Sequence, residues 1–284
     1  MVGTRMTKKV KIVADSSADI RELEGIDFSS APLKIITSEH EYVDDDTLDV
    51  ALMVEQLAQY KGRSSSSCPN PGDWLAAFED YDEVYCVTIT SGLSGSYNSA
   101  CAAKKIYESE HPDRHVYVVD SLSTGPEMVL LCEKIVELKN DGVEFDGVCE
   151  AIREYAQHTG LLFMLASMNN LTNNGRVSPI VAKMAGLLGI RAIGKASDKG
   201  ELEPLHKVRG EKKALETIMS ELEAHGYNGG KLGIAHCLNL PAAEQLAALV
   251  REKYPDAEIS IRLCGGLCSF YAERSGLLVG YEKN

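Results

Sequence analysis

The stretch VKIVADSS, residues 10–17, contains the pattern that decides the fold. Its apolar, β-branched first half predicts a buried strand, and the Asp-Ser-Ser that follows predicts a polar loop at the carboxyl end of that strand. The same pattern recurs at residues 84–91 and 116–121, where an apolar run again ends at a serine. The first half of the chain is therefore predicted to repeat one unit, a buried strand with a hydroxyl-bearing loop.

The segments between these strands have apolar residues at helical spacing, for example Met128, Leu131, Ile135 and Leu138. Alternation of strands and helices predicts a parallel sheet. In open parallel sheets, ligands bind beyond the carboxyl ends of the strands. We therefore expect the three serine-bearing loops to converge on one rim and to form a binding site there.

From about residue 160 the alternation begins again, which predicts a second lobe. Asp198-Lys199-Gly200 is a turn signal between two apolar runs and predicts a hairpin, so this second sheet should be mixed. A helical face is predicted over residues 180–188. The chain is thus predicted to be a two-lobed α/β protein, with a parallel-sheet N-terminal lobe over residues 1–159 and a mixed-sheet C-terminal lobe over residues 160–284.

Composition limits the partners and the compartment. The formal net charge of -13 argues against nucleic acid and anionic membrane surfaces as main partners. No run approaches the roughly 18 apolar residues of a membrane span, and the start of the chain lacks an apolar segment, so we expect a cytoplasmic protein. The eight cysteines are then expected to be reduced thiols in the core. Cys264 and Cys268 lack a second matching pair, so no metal site is expected.

Two serine-rich loops are candidates for a binding site. Residues 64–72, SSSSCPNPG, combine hydroxyls with proline and glycine, and on composition alone a surface loop is the simpler interpretation. Residues 90–96, TSGLSGS, join a buried strand to an Ala-rich helix. Hydroxyls and backbone N–H groups at such a junction can hold a carboxylate or a phosphate. An ordinary serine N-cap is the alternative.

The usual catalytic motifs are missing. The chain has no Gly-x-Ser-x-Gly elbow, phosphate-binding loop or dinucleotide fingerprint, so we predict a binding protein and not an enzyme. A hydrolase or phosphoryl-transfer enzyme on the same rim is the weaker alternative. Arg176, beside a predicted turn, either pairs locally or serves as a docking contact. The acidic run at residues 44–46 is predicted to be a solvated face.

Six motifs, in this order, resemble those of the DegV family. They are KIVADSS (11–17), SSCPNPG (66–72), ITSGLSGSYNSA (89–100), VDS (119–121), NGRVS (174–178) and KVRG (207–210). The resemblance covers almost the whole chain.

The resemblance implies a carrier that buries one long-chain fatty acid between its lobes and needs no cofactor. Such bacterial proteins present the acid to a fatty acid kinase, which supplies the chemistry and makes acyl phosphate from ATP. Hydroxyls from two loops hold the carboxylate in this family, and they correspond to Ser66 and Ser94. Neighbouring positions in the same two loops are Ser67, Ser91 and Gly95. The family's kinase-docking arginine corresponds to Arg176. Whether the chain is a monomer or a weak dimer is left open.

One motif departs from the family pattern. The family usually has a histidine followed by Gly-Pro-Gly near the C-terminus, and this histidine completes the carboxylate site. Residues 265–276, GGLCSFYAERSG, contain no histidine. Ser269, Tyr271 and Arg274 are the candidates to replace it, and we include Ser269 and Arg274 in the predicted site. The lost histidine also favours an alternative function, a regulator or binding module for another carboxylate or apolar metabolite.

Overall fold

The first sheet has four strands, all parallel, in the order β2-β1-β6-β7. The computed structural model describes residues 8–178, 181 and 189–283, so the helix predicted at 180–188 lies outside the described residues except for Val181. The strands of this sheet are β1 (Val10–Asp15), β2 (Asp27–Ala31), β6 (Glu83–Thr88) and β7 (His115–Asp120). The prediction of a parallel sheet in the N-terminal half is confirmed.

Helices cover both faces of this sheet. They are α2 (Pro71–Phe78), α3 (Ser96–Glu110), α4 (Pro126–Asn140) and α5 (Phe145–Tyr155). Helix α1 (Val50–Gln59) packs instead with residues of the C-terminal half such as Phe163 and Phe270. Short 3-10 helices lie at Ser16–Ala18 and Ala156–His158. Because alternate residues of a strand face opposite ways, Val13 packs with α2 and α3. Ile12 and Ala14 pack with α4 and α5 on the other face.

The second sheet has six strands in the order β10-β9-β8-β13-β11-β12. They are β8 (Thr159–Leu165), β9 (Ile190–Ala196), β10 (Leu202–Arg209), β11 (Leu232–His236), β12 (Ile259–Leu263) and β13 (Leu277–Glu282). Strands β11 and β12 are parallel, whereas the other neighbouring pairs are antiparallel. The mixed sheet and the β9–β10 hairpin are therefore confirmed.

Four further helices accompany this sheet: α6 (Asn169–Asn173), α7 (Glu211–Ala224), α8 (Leu240–Lys253) and α9 (Gly266–Ala272). Helices α7 and α8 pack on one face together with Leu162 and Met164 of β8. Helix α4 packs against the opposite face as well as against β6 of the first sheet. A Cβ atom at Gly280 of β13 would lie 2.4 Å from the backbone nitrogen of Glu127, so this position has no room for a side chain.

A small antiparallel sheet, in the order β4-β3-β5, was not predicted. It contains β3 (Lys34–Ile36), β4 (Glu41–Val43) and β5 (Ser65–Ser67). Helix α9, between β12 and β13, packs against β3 of this sheet. The C-terminal half of the chain thus reaches across to the N-terminal half, and the boundary between residues 159 and 160 stays a prediction. Within the described ranges, no helix is long and apolar enough to cross a bilayer.

Candidate functional site

The loops that follow β1, β6 and β7 meet at one rim, as predicted. Asp15, at the end of β1, accepts hydrogen bonds from the backbone nitrogen of Ile89 (2.8 Å) and from Ser96 Oγ at the start of α3 (2.6 Å). Burial raises the pKa of Asp15 to about 6, although these hydrogen bonds oppose the shift. At the end of β7, Asp120 Oδ1 accepts from the backbone nitrogen of Ser91 (3.0 Å). Carboxylates at the strand ends therefore fix the loop of residues 90–96.

A cavity of about 310 Å³ lies beside this rim, between the two halves of the molecule. Leu161, Phe163 and Leu165 line it, because alternate residues of β8 face the same way. Its other apolar wall residues are Leu33, Ile89, Leu93, Leu171, Ala196, Leu202, Leu267, Ala272 and Leu278. The volume falls in the range of small-molecule sites, and the walls suit an apolar ligand.

The polar part of the wall brings together residues from distant parts of the chain. Ser66 of β5 and Tyr271 of α9 are hydrogen-bonded through their hydroxyls at 2.7 Å. Ser94, just before α3, also lines the cavity, and its hydroxyl accepts a bond from the backbone nitrogen of Ser96 (3.3 Å). The positive end of the 15-residue helix α3 begins at this point. Hydroxyls and a helix N-terminus together form a polar end suited to an anionic group.

Arg176 lies in the wall of the cavity. It is the only cation, and Glu201 the only acid, among the described residues that line it. The guanidinium of Arg176 donates to the carbonyl oxygens of Asn174 (2.6 Å) and Leu93 (3.3 Å), and its Cζ lies 5.9 Å from the ring centroid of Tyr271. Arg176 therefore links the second half of the chain to the Leu93-Ser94 loop and places a positive charge beside the hydroxyls.

Tyr271 occupies the polar end of the cavity, where the sequence offered three candidates to replace the family's histidine. Its pKa is raised mainly by burial, while the hydrogen bond to Ser66 and the charge of Arg176 act in the opposite direction. The phenol accordingly stays protonated at neutral pH and can donate a hydrogen bond.

Of the other predicted site residues, two line the cavity and three do not. Ser67 and Gly95 line the cavity with Ser66 and Ser94. Ser91 is exposed, and only its backbone contact with Asp120 connects it to the rim. Ser269 and Arg274 line a separate cavity of about 370 Å³, and Ser269 Oγ donates to the carbonyl oxygen of Cys264 (3.2 Å). The structure thus does not bring Ser269 and Arg274 to the polar end.

The acidic run at residues 44–46 was predicted to be a solvated face, and this is wrong for Asp44, which is fully buried. Asp44 Oδ1 accepts from Arg21 Nη2 (2.6 Å) and from the backbone nitrogen of Gly266 (2.8 Å). Its Oδ2 accepts from the backbone nitrogen of Leu267 and from Ser16 Oγ, both at 2.9 Å. Asp44 therefore satisfies the first backbone N–H groups of α9, the helix that carries Tyr271.

Asp19 also helps to hold the start of α9. Its Oδ1 accepts from the backbone nitrogen of Gly265 at 2.8 Å. Burial, reinforced by the nearby Asp44 carboxylate, raises the pKa of Asp19 to about 8. At neutral pH Asp19 is mostly protonated, so it supports the start of α9 without repelling Asp44.

A largely apolar cavity with hydroxyls and a guanidinium gathered at one end, between two α/β lobes, defines a binding protein for an amphipathic ligand with a small anionic head. Within the described ranges, no group of three or more His, Cys, Asp or Glu side chains is arranged to hold a metal ion. The chain belongs to the DegV family, since the model of that family matches residues 9–283. The resemblance found in the sequence is thus confirmed.

The similarity to individual relatives extends over nearly the whole chain. A DegV domain-containing protein of Streptococcus pneumoniae is 46% identical over 276 residues, covering 96% of this chain and 98% of the relative. A crystal structure of a DegV family protein from Eubacterium eligens, loaded with heptadecanoic acid, is 44% identical with a TM-score of 0.95 and covers 97% of this chain and 100% of that one. The Fatty Acid Kinase (Fak) B3 protein of S. pneumoniae, loaded with linoleic acid, is 45% identical with the same TM-score and the same coverage.

Proposed function

We propose that this protein is a carrier that holds one long-chain fatty acid in the cavity between its lobes and presents the carboxylate to a fatty acid kinase. The observation that carries the proposal is the cavity itself, whose walls are mostly apolar and where Ser66, Ser94, Tyr271 and Arg176 bring hydroxyls and a guanidinium together. The fatty acids present in the E. eligens and S. pneumoniae relatives support it.

In this proposal the carboxylate lies among Ser66, Ser94, Tyr271 and Arg176. A buried carboxylate needs several hydrogen-bond donors to offset the loss of water. Three hydroxyls, the start of α3 and a nearby guanidinium meet this need, and hydrogen bonds to a charged group are the strong ones. Tyr271 then fills the place of the family's histidine as a neutral donor.

The acyl chain lies against the leucine-rich wall formed by β8, β13 and the β9–β10 hairpin. Each buried CH₂ contributes about 0.8 kcal/mol, so a C16 chain contributes on the order of 11 kcal/mol before ordering costs. Affinity should therefore rise with chain length until the cavity is full.

The carrier has no chemistry of its own in this proposal and needs no cofactor, because the kinase activates the carboxylate. A cytoplasmic location follows from such a partner and is consistent with eight free cysteines. Arg176 is half-buried, so it can contact the kinase as well as line the cavity. Docking of the kinase at Arg176 would then weaken the hydrogen bond from Arg176 to the carbonyl oxygen of Leu93.

Ser66→Ala and Ser94→Ala test the carboxylate assignment. Each should weaken binding of palmitate about tenfold or more, because each removes a hydrogen bond to a charged group. The measurement is the Kd in a competition assay with a fluorescent fatty acid. Ser65→Ala is the matched control, since Ser65 is exposed on the same strand and does not line the cavity. Unchanged affinity in both test variants, with the fold intact, would show that the carboxylate lies elsewhere.

A further inference from the structure

A second cavity adjoins the one proposed for the fatty acid. Its volume is about 540 Å³, and Leu161 of β8 and Ala196 of β9 line both cavities. Strands β8 and β9 are antiparallel, with Leu162 opposite Lys195, so the start of β8 lies beside the end of β9. The second cavity is at this end of the two strands.

This end of β8 is remote from the proposed carboxylate site. Leu161, Phe163 and Leu165 follow one another along the wall of the fatty acid cavity, and the chain then continues through α6 to Arg176. A rise of about 3.3 Å per residue places Leu161 about 13 Å from Leu165. An acyl chain that runs along β8 from a carboxylate near Arg176 therefore points its far end toward the second cavity.

The second cavity differs from the fatty acid cavity in its charge. Three cations line it, Arg153, Lys195 and Lys283, and we call it the cationic cavity. Within the described residues, neither Arg153 nor Lys283 forms an ion pair. Lys195 lies 3.7 Å from the exposed Glu203. In a protein with a net charge of -13, these cations are available to an anionic ligand.

The other titratable groups of the cationic cavity do not neutralise these cations fully. Asp120 accepts hydrogen bonds from two backbone N–H groups of its own rim (3.0 and 3.2 Å), and Asp198 is exposed to solvent. Burial disfavours the ionised form of Glu127 and raises its pKa. His225 is 3.3 Å from its own partner, Glu221.

We infer that the carrier also accepts long-chain dicarboxylic acids, with the second carboxylate held in the cationic cavity by Lys195 and Lys283. The inference rests on the proposed carrier function and widens its substrate class. A second carboxylate left among the leucines would be strongly disfavoured. The cationic cavity offers it ammonium donors and, through the exposed Arg153, access to water. The diacid must therefore be long enough to pass Leu161.

Chain length provides the first test. The measurement is the Kd, by competition with a fluorescent fatty acid, for dodecanoic, hexadecanoic and eicosanoic acids and for the dicarboxylic acid of each length. We expect the ratio of the diacid Kd to the monoacid Kd to be at least about tenfold smaller for the eicosane pair than for the dodecane pair. The reason is that only the longer diacid can carry its second carboxylate beyond Leu161.

A charge-removal variant provides the second test. Lys195→Met combined with Lys283→Met removes both ammonium groups and keeps most of each apolar side chain. We expect it to bind eicosanedioic acid about threefold to tenfold more weakly than the wild type and to bind palmitate equally well. Lys199→Met combined with Lys212→Met is the matched control, because these two lysines are exposed and line neither cavity.

The outcomes separate this inference from the carrier function. If the wild-type protein binds none of the monocarboxylic acids, the carrier function itself fails. If it binds them but the ratio of diacid to monoacid Kd is the same at every length, the carrier stands and the inference is overturned. An equal affinity of the test and control variants for eicosanedioic acid would show that the second carboxylate does not reach Lys195 and Lys283, with the same consequence.

Discussion

Replacement of Asp44 by alanine is expected to lower the free energy of unfolding by about 3–5 kcal/mol, because several buried donors lose a charged acceptor at a cost of about 1–3 kcal/mol each. The substitution leaves the backbone N–H groups of Gly266 and Leu267 and the hydroxyl of Ser16 without their buried acceptor. It also removes the ion-pair partner of Arg21, whose side chain is partly exposed. Because Asp44 holds the start of α9, the same change should release Tyr271 from the cavity and weaken fatty acid binding.

Chemical denaturation, with the fatty acid removed, measures this effect on unfolding. Asp46→Ala is the control, because Asp46 belongs to the same acidic run but is exposed, and it should change stability by less than about 0.5 kcal/mol. Asp44→Asn keeps one oxygen acceptor, so its free energy of unfolding should lie between those of Asp44→Ala and Asp46→Ala. Equal stability of Asp44→Ala and Asp46→Ala would refute the anchoring role.

Arg176→Glu is expected to weaken fatty acid binding by about two orders of magnitude. The change removes a guanidinium worth about 1.5–3 kcal/mol to a charged partner and puts a carboxylate beside the bound one. It also breaks the hydrogen bond to the carbonyl oxygen of Leu93 in the cavity wall. A residue that served only for kinase docking would leave the Kd unchanged and slow the kinase reaction alone.

The measurement is the Kd for palmitate together with the rate of acyl phosphate formation by the kinase at saturating palmitate. Arg251→Glu is the control, because it makes the same change of charge at an exposed residue near the end of α8, away from the cavity. A Kd equal to that of the wild type, with turnover reduced, would restrict Arg176 to docking. A normal Kd with normal turnover would contradict both roles.

The sequence predicts the main sheets well because their strands are buried apolar runs that end in turns or polar loops. Strand β1 with Asp15 and the β9–β10 hairpin around Asp198-Lys199-Gly200 follow this rule. The three-residue strand β5 does not, since serines carry little strand signal and its pairing with β3 comes from tertiary structure. Residues 64–72 therefore looked like a loop, although they place Ser66 in the cavity.

The parts of the site that escaped prediction depend on contacts between distant residues. Asp44 and Gly266 are separated by 222 positions, and Ser66 and Tyr271 by 205. An acidic run has the same composition whether it faces solvent or a helix N-terminus, so the buried role of Asp44 left no local signal. The sequence of residues 265–276 offered three candidates for the role of the family's histidine. Only the fold shows that one of them, Tyr271, lies beside Ser66.

The most direct measurement is native mass spectrometry of the protein purified from a bacterial host, followed by lipid extraction and identification of the released acid. We expect about one long-chain fatty acid per chain, and a protein stripped of lipid should take up one equivalent of palmitate or oleate. A protein that is consistently empty, and that remains empty after incubation with both acids, would contradict the carrier function.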